Sequence, residues 1–130
     1  MKFFFKGKDG GPESNTTGYW LVEIKSLFSI VLLKFEGKSR PVYHNHAFNC
    51  INWVLEGGIL EYRKDGPVIS RWASFKPFMI YRDTMHKVDG YNRSWVLSIR
   101  GPWSKTWKEI TADAEERVIT LSNGRVQVYD

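Results

Sequence analysis

Cysteine is almost missing from this sequence: Cys50 is the only one in 130 residues. No internal disulfide can therefore staple the fold, which agrees with a reducing compartment. Long apolar runs are missing too. The longest, Leu27 to Leu33, is broken by Ser29 and lies between Lys25 and Lys34, far short of the roughly 20 residues that span a bilayer. The opening Met-Lys-Phe-Phe-Phe-Lys has too short an apolar stretch for a signal peptide and no small-residue cleavage site after it. A cytoplasmic protein with no membrane partner is the expectation. Lysine and arginine outnumber acids to give a net charge of +5 and a pI near 9.4, yet they form no basic run. Nucleic acid is accordingly not an expected partner. A sustained helical period is also lacking before Pro102, which leaves little room for helix.

What is present is a series of short runs rich in β-branched and aromatic residues, separated by turn residues. The runs are Tyr19 to Lys25, Phe28 to Phe35, Val42 to Leu55, Ile59 to Arg63, Val68 to Trp72, Phe78 to Tyr81, His86 to Val88 and Trp95 to Arg100. Asp65-Gly66 lies between two of these runs and Asn123-Gly124 between Val118 to Leu121 and Arg125 to Tyr129, and Asx-Gly pairs favour hairpins through primed turns. The chain length fits one domain with a real core. An aromatic share of 15%, including six Trp, suits a barrel whose interior must be filled. The expected organisation is an all-β single domain over 1–130, with an irregular glycine-rich lead-in over 1–18, a barrel over 19–107, and a C-terminal turn and hairpin over 108–130. A short helical turn is expected between Trp103 and Glu116, with Trp103 and Trp107 as packing residues at four-residue spacing.

The residues that could carry chemistry are few. His44 and His46 alternate along one run, so in a strand they share a face about 7 Å apart at Cα. Phe48, Cys50 and Asn52 would follow on the same side. His86 opens a later strand. Three imidazoles with open positions match a catalytic metal site, so His44, His46 and His86 are the candidate metal ligands. Cys50 has three readings: a buried filler, a soft additional ligand, or a group that tunes the metal. Arg40 has the parity of His44 and His46 and a fork suited to a substrate carboxylate. Glu61 and Tyr62 straddle a strand, so one of them should face inward as a substrate-binding group.

The stretch from His44 to Gly57 resembles the first motif of the cupin superfamily, a His-x-His pair followed by a Glu and then a Gly. Cys50 stands in the place of the Glu, and Gly57 falls at the expected distance. The second motif is matched by His86, with Tyr81 and Asp83 in the places of its Pro and Gly and Asn92 two residues late. The resemblance implies a cupin-type β-barrel, a double-stranded β-helix or jelly roll. Loss of the carboxylate ligand is similar to the thiol dioxygenase branch, which holds iron with three histidines. The run from Trp95 to Pro102 looks like the closing strand of that branch, although the tyrosine that would cross-link to Cys50 has no match. The span from Leu27 to Trp107, ending in Gly101, Pro102 and Trp107, further resembles small cupin-like proteins of tailed bacteriophages, which would place the protein in a host cytoplasm.

Two functions from different classes follow. One is a mononuclear metal enzyme, dioxygenase-like, with Fe(II) as the expected cofactor and Zn, Ni or Mn as alternatives, acting on a small anionic or thiol substrate. The other is a non-catalytic cupin module that sequesters a small-molecule ligand or a partner. Exposed edges at both ends of such a barrel make a homodimer an expectation as well.

Overall fold

The computed structural model describes residues 1–9, 15–37, 43–64, 66–91, 93–104, 106–110, 118–122 and 127–129. Its regular elements are all strands: β1 (Lys2–Lys8), β2 (Thr16–Ile24), β3 (Phe28–Glu36), β4 (Cys50–Glu56), β5 (Gly58–Arg63), β6 (Val68–Trp72), β7 (Phe78–Ile80), β8 (His86–Gly90), β9 (Arg93–Arg100), β10 (Thr106–Ile110), β11 (Val118–Ser122) and β12 (Gln127–Tyr129). Among the described residues, no helix is long and apolar enough to cross a membrane. A six-stranded sheet runs β1-β2-β3-β9-β4-β7, a three-stranded sheet runs β6-β5-β8, and β10-β11-β12 form a third.

The core lies where the first two sheets face each other. Trp20, Val31, Leu33, Val54 and Val96 from the large sheet meet Ile59 from β5, with Phe5, Phe35, Phe78 and Val88 packed around them. Each strand contributes alternate residues. In β9, Ser94, Val96, Ser98 and Arg100 are buried while the residues between them are not, which is the two-residue period that one buried sheet face imposes.

Three departures from the sequence reading have physical causes. The lead-in is not irregular throughout, because Lys2 to Lys8 form an edge strand against β2. Gly7 and Gly18 lie opposite each other in that pair, and a Cβ on Gly18 would sit 2.4 Å from the Trp20 ring. Gly18 marks a close approach of an indole to backbone rather than a turn. The strand expected over Val42 to Leu55 begins only at Cys50. Before it, the backbone bonds across to other segments: Asn45 N donates to Lys108 O at 2.9 Å, His46 N to Arg82 O at 3.3 Å, and Ser104 N to Ala47 O at 2.5 Å. The helical turn does not form over 106–110, where β10 pairs instead with β11 from Thr106↔Ser122 to Ile110↔Val118; its remainder, over 111–117, lies outside the described residues.

Both expected hairpin pairings occur, β5 with β6 and β11 with β12, each antiparallel. Asp65 and the Asn123-Gly124 pair fall outside the described residues. The turn between β5 and β6 includes Asp65, so its type lies outside the described residues as well.

Candidate metal centre

His44 and His86 come from segments 42 residues apart in sequence, and their backbones bond reciprocally, N to O and O to N, at 2.8 Å each way. This isolated antiparallel bridge sets the start of β8 against the segment that carries both His44 and His46. The three side chains then turn to one point. His46 Nε2 lies 3.1 Å from His44 Nε2 and 3.2 Å from His86 Nε2, and the three ligand atoms all fall within 4.8 Å of one another.

Such nitrogens repel unless a proton or a cation stands between them. At a metal–nitrogen distance of about 2.0–2.1 Å, neighbouring imidazole nitrogens would be about 2.9 Å apart in a right-angled arrangement and about 3.4 Å in a tetrahedral one. The two separations at His46 lie between these limits, and the cluster as a whole could hold a divalent ion. Burial, with His44 and His86 close by, holds the His46 imidazole well below its ordinary pKa. It is therefore neutral at physiological pH, as a ligand must be.

Glu61 is the group that orients the set. It is 1% exposed, and its Oε2 accepts from His86 Nδ1 at 2.5 Å. With the proton on Nδ1, His86 keeps its Nε2 lone pair for the central point, the arrangement by which a carboxylate fixes a metal-ligating histidine. The other oxygen, Oε1, accepts from Arg71 at 3.1 Å and Arg63 at 3.4 Å. Burial alone would raise the Glu61 carboxyl, but the His86 contact and the two guanidiniums bring it down to about 2. Both oxygens thus have partners within the protein, and Glu61 supports His86 from the cavity wall. Tyr62, on the other face of β5, is absent from the cavity wall. Arg40 lies outside the described residues.

The histidines open into a cavity of about 180 Å³ between the sheets. Phe48, Trp103 and Trp107 form an aromatic wall, with ring centroids 5.2 Å apart for Phe48–Trp103 and 5.6 Å for Trp103–Trp107. These tryptophans line the cavity from a loop and β10 rather than from the expected helix. Cys50 also lines it, buried, with Sγ accepting from Asn52 Nδ2 at 3.3 Å. Burial pushes its thiol pKa up. Among the described residues, the clustered ligand atoms are those of the three histidines, and Cys50 is not one of them.

This arrangement of facing sheets recurs in solved structures. The polyketide cyclase RemF from Streptomyces resistomycificus superposes with a TM-score of 0.70 at 15% identity over 89% of each chain. The fold is that of the cupins. A sugar phosphate isomerase from the cupin superfamily of Silicibacter pomeroyi gives a TM-score of 0.65 at 11% identity, covering 100% of this chain and 92% of that one. A cupin-2 domain protein from Shewanella frigidimarina gives 0.54 at 21% identity, covering 65% of this chain and 78% of the other. No protein-family model matches the chain, and neither does any curated protein sequence. At these identities the cupin likeness is one of fold.

Sequence reasoning missed Arg71, Arg100 and Asp9, all of which line the cavity. Arg100 was within reach, since the alternation Ser94, Val96, Ser98, Arg100 carries it onto the inward face of β9. Arg71 and Asp9 depended on a strand register and a hairpin that local pattern does not reveal.

Proposed function

We propose that this cupin is a mononuclear metal enzyme acting on a small anionic or thiol ligand in its inter-sheet cavity, with Fe(II)-dependent dioxygenase-like oxidation as its reaction. The observation that carries the reading is the convergence of three imidazoles while the buried Glu61 carboxylate beside them has both oxygens bonded, to His86 and to Arg71 and Arg63. An all-imidazole set leaves a bound divalent ion its full charge, which attracts an anion and can activate both it and O₂.

The chain's own residues then have defined tasks. His44, His46 and His86 hold the ion, and Glu61 fixes the His86 tautomer. Phe48, Trp103 and Trp107 exclude water from the ligand. Cys50, its thiol kept neutral by burial, packs beside the site as a group that can tune it.

A redox-neutral reading is favoured by the two neighbours with the highest similarity quoted above, which are described as a cyclase and an isomerase. The same three-histidine ion could polarise a carbonyl without O₂. Protein purified without a histidine-rich tag or chelator, assayed for metal content and then for oxygen uptake with a panel of thiols and small carboxylates, separates the readings. Stoichiometric metal with uptake supports the oxygenase. Stoichiometric metal with ligand retention but no uptake favours redox-neutral chemistry or a sequestering module. Absence of any metal affinity overturns the proposal.

A further inference from the structure

Phe48 adjoins both the histidines and a buried charged group, Arg100. The Phe48 ring centroid is 5.1 Å from that of His46 and 4.6 Å from the Arg100 guanidinium carbon. Arg100 is 3% exposed and lines the cavity. A buried guanidinium carries a heavy desolvation cost, and an apolar residue at such a position often serves stability as well or better. The other inward residues of β9 are Ser94, Val96 and Ser98, all small.

The fork of Arg100 is filled by one carboxylate. Arg100 Nη1 and Nη2 donate to Asp9 Oδ1 at 3.2 Å and Oδ2 at 2.8 Å, the parallel two-bond geometry in which guanidinium recognises a carboxylate. The two partners are anchored differently. Arg100 is held in the middle of the fold, whereas Asp9 stands just past the end of β1 with 29% of its side chain exposed. Rotation of that side chain toward solvent would free the fork without moving a strand. Arg71 offers no such exchange, because its partner Glu61 is 1% exposed and also holds His86.

We propose that Arg100 is the cavity's carboxylate-binding residue and that Asp9 is an internal competitor, displaced when a ligand carboxylate takes its place. The inference rests on the cavity being the ligand site proposed above and adds the class of ligand: a small molecule with a carboxylate at the Arg100 end, an apolar or aromatic body along Phe48, and a metal-ligating oxygen or sulfur at the histidine end. Asp9 lowers the apparent affinity by the fraction of molecules in which the fork is occupied. It thereby rejects weakly held anions and admits those with a second point of attachment.

The test uses the full chain with benzoate and its neutral isostere benzamide as probes, in chelator-treated and zinc-loaded protein. Asp9→Asn should bind benzoate about tenfold tighter than the unaltered chain in both metal states, and benzamide equally well. Arg100→Lys, which keeps the charge but not the fork, should lose most benzoate affinity. In the unaltered chain, proton–nitrogen correlation spectra should show the Arg100 Nε–H and Asp9 amide signals moving with benzoate and not with benzamide. This arm does not depend on any variant folding. Unchanged or weaker benzoate binding by folded Asp9→Asn, or stationary Arg100 and Asp9 signals at saturation, overturns the proposal. If benzoate binds only to zinc-loaded protein and is indifferent to both variants, the Arg100 proposal fails while the metal reading stands.

Discussion

Glu61 Oε2 and His86 Nδ1 are 2.5 Å apart, both side chains buried to within 3% of full coverage. Cys50 stands where the motif resemblance would place a ligand carboxylate, and the Glu61 carboxylate instead bonds to a member of the histidine set. Glu61→Gln should therefore weaken metal binding rather than abolish it, by about 10–100-fold, as loss of such an orienting partner does. Metal titration followed by calorimetry reads this directly. Circular dichroism should still show a strand spectrum, although Arg71 and Arg63 lose their common counter-charge.

Replacing His44, His46 or His86 with Ala should strip the metal in each case, since two imidazoles rarely hold a divalent ion against buffer. Cys50→Ser is the contrasting variant. Its thiol lies outside the histidine cluster and is held neutral by burial, so metal content measured after gel filtration should remain stoichiometric. Metal loss from Cys50→Ser alone would mean that the thiolate is a ligand.

Gly57 has φ of 75°, and a Cβ there would lie 2.5 Å from Ser94 Oγ. That hydroxyl donates to Gly58 O at 2.6 Å and accepts from Gly58 N at 3.0 Å, which ties β5 to β9. Gly57→Ala should cost about 1–3 kcal/mol through backbone strain and disturbance of these bonds. Urea denaturation checks it, with an unchanged midpoint counting against the account.

The strands from β2 to β9 were legible because period-two alternation survives wherever a sheet has one buried face, and the histidines were legible because their residue type is so scarce here. What local pattern could not supply was how they meet. His44 and His46 converge with His86 through a backbone bridge and cross-links from Lys108 and Arg82, not through the continuous strand that their alternation suggested. Strand β1 was hidden because Gly7 and Gly18, read as turn residues, pair with each other in a ladder, where Gly18 makes room for Trp20. The Glu61–His86 contact was hidden because it depends on β8 pairing with the other edge of β5, which no local turn signal announces.

Acid should destabilise the metal-free protein in two stages. Burial, with its neighbouring histidines, holds His46 well below its ordinary value of 6.5. Above that value it is neutral both folded and unfolded, and its contribution to stability is fully present. As pH falls below 6.5, the unfolded chain takes up a proton that the folded chain refuses, so stability declines. Glu61 adds a second stage with the same sign. Its carboxyl is held at about 2 against an ordinary 4.5, so its contribution is complete above 4.5 and is lost as pH falls toward 2. Urea midpoints measured from about pH 8 to about pH 3 should drop first below neutrality and again in the carboxylate range. Glu61→Gln should remove the lower stage and leave the upper one, while loading with metal should steepen the upper stage, because protons then compete with the ion for the same nitrogens. A midpoint that stays flat from about pH 7.5 to about pH 5.5 in metal-free protein would show that His46 takes up its proton as easily folded as unfolded, contrary to its burial among the other two imidazoles.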